Sequence, residues 1–128
     1  MTTHSSLYKR KLTGGKKRAY RTKKIYETAG YPAETVLGES KRKISRTIGG
    51  STKVKVLTEK FASVTDPKTN TTAKTEIVRV VSNGANVDYN RRGVITKGAQ
   101  IETKLGLAKV TSRPGNDGVV KAILVGKE

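Results

Sequence analysis

The sequence predicts an all-β fold, a small closed antiparallel β-barrel preceded by an extended basic N-terminal arm. Six or more short runs rich in β-branched residues alternate with Gly-rich turns, a pattern typical of small barrels and sandwiches. No segment keeps the apolar period of about 3.6 residues that an amphipathic helix needs, so we expect no long helix. A barrel is favoured over a sandwich because closure removes exposed strand edges. With no Trp, one Phe and five Tyr, the core should consist mostly of Val, Ile, Leu and Ala.

The predicted strands follow one another along most of the chain. They cover 34–37, 43–48, 53–64, 75–81, 94–96, 100–105, 107–111 and 119–125. In the second of these runs, Lys43 and Ser45 point to one face of the strand and Ile44 and Arg46 to the other, because side chains alternate along a strand. The third run begins with a clean alternation of Lys and Val.

Turn residues separate the strands. The cluster 66–70 and the pair Asn83-Gly84 predict turns. Pro114-Gly115 suits the two central positions of a type II turn, since Pro presets φ and Gly tolerates a positive φ. Arg113 opens that turn, where it is free to reach a phosphate unless Asp117 holds it in the loop.

The net charge is +17, from 27 basic and 10 acidic residues. A small protein this basic repels itself unless a polyanion neutralises it, which points to nucleic acid first and to an anionic membrane surface second. The charge is concentrated at one end. Residues 1–30 carry nine basic residues and one acid, a net +8, which leaves +9 for residues 31–128. Block charge of this kind is typical of an interaction arm.

We therefore expect two parts, a basic RNA-binding arm at 1–30 and a β-barrel domain at 31–128. The arm has too few apolar residues to fold alone, so it should be disordered when free and ordered on its partner. Its cations would neutralise phosphates and its tyrosines would stack on unpaired bases. The candidate contacts in the arm are Tyr8, Lys9, Arg10, Lys11, Lys16, Lys17, Arg18, Tyr20, Arg21, Lys23 and Lys24.

The barrel domain offers a second, sparser set of cations. Lys41 and Arg42 begin a basic cluster that either contacts RNA or protects a solvated strand edge. Arg91 and Arg92 precede Gly93 in what reads as a tight basic loop, and loops on a rigid sheet commonly carry binding residues. The barrel-side candidates are Lys41, Arg42, Arg91, Arg92, Lys97 and Arg113.

The sequence lacks the residues that several kinds of functional site require. The chain has no Cys and one histidine, His4, so we expect no thiolate site, no metal centre and no histidine-based catalysis. No phosphate-binding glycine motif is complete. We expect no enzyme activity, no cofactor and no small-molecule substrate. No apolar run approaches the roughly 20 residues that span a bilayer, and the first residues lead into lysines rather than an apolar signal segment.

Long sequence blocks carry a family resemblance. They are KLTGGKKR at 11–18, PAET at 32–35 with GE at 38–39, NRRGVITKGAQIET at 90–103, KLG at 104–106 and KVTSRPGNDGVV at 109–120. Through these blocks the chain resembles the small-subunit ribosomal protein family numbered eight of the eukaryotic type, in its short archaeal form. That family often carries a cation at the positions of Ile48 and near Val56, so we expect fewer RNA contacts in the middle of this chain.

The resemblance implies a β-barrel protein with a basic N-terminal extension and a structural role. Its partners would be the small-subunit ribosomal RNA and neighbouring ribosomal proteins, with no membrane, and its place would be the small ribosomal subunit in the cytoplasm. The alternative hypothesis for the function is a non-ribosomal, chromatin-type nucleic-acid-binding protein. Preference for duplex DNA over ribosomal RNA would favour that alternative.

Overall fold

A computed structural model describes residues 9–27 and 30–125 of the chain, apart from the side chain of Ile48. The chain divides into two units, Met1–Pro32 and Ala33–Glu128. Within the first unit, the described residues contain one short 3-10 helix, Ile25–Glu27. The candidate contact Tyr8 lies outside the described residues. The extended form of the arm stays a prediction.

The second unit begins with a three-stranded sheet in the order β1-β3-β2. Its strands are β1 (Val36–Leu37), β2 (Lys41–Arg46) and β3 (Thr52–Glu59). β1 runs parallel to β3, and β2 runs antiparallel to it. A short 3-10 helix, Ile48–Gly50, joins β2 to β3. β2 is therefore an edge strand, and five of its six residues are exposed.

Five further strands close into the predicted barrel, in the order β4-β5-β6-β7-β8 with β8 returning to β4. They are β4 (Phe61–Asp66), β5 (Thr71–Ser82), β6 (Gln100–Thr103), β7 (Gly106–Val110) and β8 (Lys121–Leu124). Four pairings are antiparallel, and the closing pair β4–β8 is parallel. Directions cannot alternate all the way around a ring with an odd number of strands, so one parallel pair is unavoidable.

The barrel interior holds small aliphatic side chains, as the composition predicts. Inward-facing residues alternate with outward-facing ones along each strand. The fully packed core consists of Ala62, Val64, Ile77, Ile95, Ala99, Ile101, Ala108, Val110, Val120 and Ala122, with Val80 and Leu124 at its margin. With no large aromatic side chain in this core, five strands suffice to enclose it.

Two predicted strands are corrected by the structure. The run 53–64 is broken at Lys60, so that β3 and β4 belong to different sheets. The run 94–96 forms no strand, because only Ile95 pairs, in an isolated bridge with Thr35. Ile95 is instead part of the core.

The predicted basic loop around Arg91 is in fact the end of a short helix, α1 (Val87–Arg91). The Asn86 side chain accepts a hydrogen bond from the Asp88 amide at 2.9 Å and caps the first turn. Asp88 in the first turn and Arg91 in the last complement the helix dipole. The buried Asn83 fixes the loop that carries α1, since its side chain donates to the Val94 carbonyl at 2.7 Å.

The predicted type II turn at Pro114-Gly115 is wrong, because these residues begin a one-turn helix, α2 (Pro114–Asp117). Pro suits the first helical position, where no backbone N–H is required. The Asp117 carboxylate accepts a hydrogen bond from the Arg113 amide at 2.8 Å, and Gly118 ends the helix with a φ of 74°.

Candidate nucleic-acid interface

Most carboxylates in the described part of the chain are already neutralised by cations of the same chain. The ion pairs are Arg21–Glu27, Arg42–Glu59, Lys60–Glu76, Lys104–Glu76, Arg79–Glu102, Arg91–Asp88, Arg92–Asp88 and Arg92–Glu34. The described cations that form none of these ion pairs are concentrated in the arm and on the β2–β3 hairpin.

The hairpin sets three lysines on one face of the sheet. Its register places Lys43 directly opposite Lys55, and Ser45 opposite Lys53. We call Lys43, Lys53 and Lys55 the lysine face. Directly opposed residues have Cβ atoms about 4.5–5.5 Å apart, and like charges on such a pair are destabilising. Among the described residues, no carboxylate forms an ion pair with any of the three.

The opposite side of the hairpin is held against the rest of its unit. Val56 is fully buried, and its carbonyl accepts a hydrogen bond from the buried Thr35 hydroxyl at 2.8 Å. Val54 packs so closely on Gly118 that a Cβ atom added there would lie 3.0 Å from the Val54 Cβ. The lysine face is thus presented by a strand whose other side is fixed by packing.

The two predicted β2 residues differ in their surroundings. Lys41 is exposed, with no ion pair in the part of the chain that the structure describes. Arg42 Nη2 lies 3.0 Å from Glu59 Oε2, and the Ser40 hydroxyl donates to the same oxygen at 3.0 Å. Because Glu59 is buried, Arg42 offsets the cost of an ionised carboxylate inside the protein.

At the end of α1, the predicted residues Arg91 and Arg92 also have carboxylate partners. Arg92 Nη1 lies 2.5 Å from Glu34 Oε2, and its Nε lies 3.0 Å from Asp88 Oδ2. The Glu34 carboxylate, with a smaller effect of Asp88, raises the pKa of Arg92. Arg92 therefore ties α1 to the segment before β1. Arg91 contacts Asp88 at 2.8 Å but leaves 80% of its side chain exposed.

Lys97 and Arg113 are both exposed. Lys97 lies in the turn before β6, and Arg113 is the residue that precedes α2. The Arg113 amide, rather than its guanidinium, donates to Asp117, and this hydrogen bond lowers the pKa of Asp117. Asp117 therefore holds the backbone of Arg113 in the loop, while Arg113 itself stays exposed. The barrel-side candidates lie on different elements, and only Lys41 and Arg42 adjoin the lysine face.

In the arm unit, Arg21 is the most constrained of the predicted contacts. Its Nη1 and Nη2 atoms donate to Glu27 at 2.7 and 2.6 Å, and its Nε donates to the Tyr20 hydroxyl at 2.8 Å. These hydrogen bonds raise the pKa of Arg21, and Arg21 lowers that of Glu27. The Tyr20 side chain remains 90% exposed.

The other cations of the arm that the sequence singled out lie mostly in solvent. Exposed are Lys9, Arg10, Lys11, Lys16, Arg18 and Lys24, while Lys17 and Lys23 are half-buried. Arg10 donates to the Gly14 carbonyl at 2.9 Å, within a turn formed by residues 11–15. The described helices are all too short to cross a membrane. In residues 9–27 and 30–125, no three acidic or histidine side chains group as metal ligands.

Residues 4–125 match the family described as ribosomal protein S8e. The chain belongs to this family. Its relatives include proteins named small ribosomal subunit protein eS8. The one from Methanococcus aeolicus is 52% identical over 118 residues, which is 91% of this chain and 92% of the relative. The one from Ignicoccus hospitalis is 48% identical over 118 residues, 91% of each chain. The family resemblance drawn from the sequence blocks is confirmed.

Within this S8e chain, sequence reasoning missed the lysine face. The alternation of Lys53 and Lys55 with Val is visible in the sequence, but their pairing with Lys43 depends on the register of β2 and β3. Because the chain lacks the cations that the family often carries at Ile48 and near Val56, we expected fewer RNA contacts in this region. Val56 is buried, and the cations that this chain does carry lie on neighbouring positions.

Proposed function

We propose that this chain is a structural, non-catalytic component of the small ribosomal subunit that binds ribosomal RNA through its lysine face and its N-terminal arm. The observation that carries the proposal is the opposed pair Lys43 and Lys55, whose charges no described carboxylate neutralises. Family membership and the names of the archaeal relatives support the ribosomal role. The same comparisons lend no support to a chromatin-type function.

On the lysine face, binding follows from electrostatics. The mutual repulsion of the three ammonium groups is relieved when phosphate oxygens come between them, and the counterions they displace from RNA gain entropy. Contacts of this kind read the backbone rather than the bases, so the face would recognise the shape of a folded RNA. The packing of Val54 and Val56 on the other side of β3 keeps the lysines in fixed relative positions.

The arm adds a second mode of contact. Its cations follow one another at intervals of one to three residues within each basic run, which suits a chain that tracks a phosphate backbone. Tyr20, with its ring largely exposed, is a candidate for stacking on an unpaired base. Arg21 would first have to exchange Glu27 for a phosphate.

The remaining parts of the proposal follow from the ribosomal role. The chain would lie beside other ribosomal proteins within the small subunit, in the cytoplasm. It would use no small-molecule substrate and no cofactor. The barrel-side cations Lys41, Arg91, Lys97 and Arg113 extend the proposed contact surface, and Arg42 and Arg92 contribute chiefly by holding Glu59 and Glu34.

A pair of double variants tests the proposal. Lys43→Gln with Lys55→Gln removes two charges from the lysine face, and Lys68→Gln with Lys109→Gln removes two charges elsewhere on the same unit. Binding to small-subunit ribosomal RNA is measured by filter retention over a range of salt concentrations. We expect a much larger loss of affinity, and a shallower salt dependence, for the first variant. Equal losses would mean that net charge alone matters and would refute the assigned face.

A further inference from the structure

A cleft with a volume of about 230 Å³ opens on the outer side of the barrel, where β2, β4 and β5 meet the segment before β8. Drug-sized ligands occupy pockets of roughly 300–1,000 Å³, so this cleft is sized for a single ring system. Its apolar side is formed by the Phe61 ring together with Val119 and Val120. Phe61 is the only phenylalanine in the chain, and 38% of it is exposed.

Cations surround this exposed ring. Lys74 Nζ lies 4.8 Å from the ring centroid, and Lys60 Nζ lies 6.0 Å from it. Lys74 stands opposite Ser63, two residues from Phe61 on the same outer face of the barrel. Lys60 is neutralised by Glu76, but no described carboxylate forms an ion pair with Lys74. Arg42 completes the cationic rim on the other side of the cleft.

The one acidic group in the cleft is already engaged. Glu59 has only 6% of its side chain exposed and accepts hydrogen bonds from Arg42 and Ser40. Arg42 nevertheless keeps 49% of its side chain exposed. The cleft therefore combines an aromatic and aliphatic wall with an excess of positive charge.

We propose that this cleft binds one unpaired nucleotide of an RNA strand, with the base against Phe61 and the adjoining phosphates on Lys74 and Arg42. The inference rests on the proposed function, since it names the kind of RNA element that this face of the protein takes. Unpaired bases are the elements that proteins stack on aromatic rings, and phosphates are what flanking cations neutralise. A base within a duplex is stacked on both sides and does not reach the ring.

Two other anions match the cleft less well. A phosphate alone would use Lys74 and Arg42 but leave the apolar wall in contact with water. An acidic peptide would satisfy the charge but provides no planar ring to cover Phe61. A nucleotide uses both features at once, because its base is planar and its backbone is anionic.

The single phenylalanine makes the test direct. Incorporation of 4-fluorophenylalanine into the full chain gives one ¹⁹F resonance, which reports on the cleft and is not confused with stacking in the arm. We expect a short oligoadenylate to shift this resonance, and an abasic sugar-phosphate strand with the same number of phosphates to leave it nearly unmoved. Equal shifts with both strands, a shift with oligoaspartate, or no shift at all would overturn the proposal.

Two variants test whether the cleft contributes to the affinity for oligoadenylate. Phe61→Leu keeps an apolar side chain of similar size, and we expect it to weaken oligoadenylate binding roughly fivefold to a hundredfold, the range for loss of one stacked aromatic. Tyr89→Leu is the matched control, because Arg92 lies 5.6 Å from that ring in a similar arrangement outside the cleft. If the two variants bind oligoadenylate equally well, the cleft is not a base-binding site.

The failure of this inference is distinguishable from failure of the proposed function. If Phe61→Leu binds like the unaltered chain while Lys43→Gln with Lys55→Gln still loses affinity for ribosomal RNA, the cleft is unused and the ribosomal role stands. If the unaltered chain itself does not bind small-subunit RNA, both proposals fail.

Discussion

At the scale of single residues, the opposed lysines Lys43 and Lys55 have opposite effects on stability and on binding. Their repulsion opposes folding of the free protein, so Lys55→Gln should raise the free energy of unfolding by about 0.2–1 kcal/mol. The same change should weaken binding to RNA. Urea denaturation and RNA titration measure the two effects, with Lys68→Gln in the β4–β5 turn as the control. A loss of stability in Lys55→Gln would show that the repulsion is absent.

Glu76 provides a pH-dependent prediction. The Lys104 and Lys60 ammonium groups lower its pKa from 4.5 to about 2. Because the folded pKa is depressed, the carboxylate stabilises the protein above pH 4.5, and that contribution is lost as the pH falls towards 2. Glu76→Gln should thus lower Tm at neutral pH and have little effect near pH 2. A difference in Tm that stays constant across this window would contradict the assignment.

At the scale of elements, Gly118 ends α2 and is the residue through which α2 packs against Val54 of β3. Its φ of 74° is in the left-handed region, and an added Cβ would lie 3.0 Å from that of Val54. Gly118→Ala should therefore destabilise the protein by about 1–3 kcal/mol. Gly84→Ala is the control, since a Cβ there meets nothing within 4 Å and the backbone is not left-handed. Equal Tm values for the two variants would be inconsistent with this packing.

The short elements show where local sequence patterns are insufficient. The strands β5 to β8 were predictable because β-branched runs are bounded by turn residues. The four- and five-residue helices have no apolar period and depend on single groups instead, the Asn86 cap and the Pro114 start. The break at Lys60 separates two strands with the same kind of sequence, so it is decided by which partners β3 and β4 find.

The candidate nucleic-acid interface was also predictable only in part. Charge runs identify the arm and the β2 cluster, because ionisable residues are visible in the sequence. The ion pairs of Arg92 with Glu34, and of Arg42 with Glu59, join residues that are 58 and 17 positions apart. Such pairings, like the one between Lys43 and Lys55, require the fold. The sequence therefore predicts which residues are cationic but not which of them remain available.

At the scale of the whole molecule, the arm and the barrel unit are expected to contribute separately. Deleting residues 1–30 should leave the strand signal in circular dichroism unchanged and weaken RNA binding strongly. For the full chain, about 6–10 phosphate contacts would lose on the order of 10³–10⁵ in affinity between about 50 and 200 mM salt, by analogy with DNA. The truncated chain should have a shallower dependence. If its strand signal is lost, the barrel needs the arm to fold.

The closed barrel itself was predictable, because a chain of short strands must satisfy or cover its edges. The sequence did not predict that the barrel and the lysine face belong to two different sheets. The barrel is a five-stranded ring, and the three-stranded sheet beside it carries the lysine face. The net charge of +17 predicts a polyanionic partner, but only the three-dimensional arrangement separates charges that hold the protein together from charges that face outward.

The central claim is that this chain is a component of the small ribosomal subunit that binds its RNA. Sedimentation of native small subunits through a gradient at high salt, with excess duplex DNA as competitor, tests it most directly. We expect the protein to stay in the small-subunit fraction, because shape-specific contacts to folded RNA add to the electrostatic ones. Release into the free fraction or transfer to the DNA would contradict it.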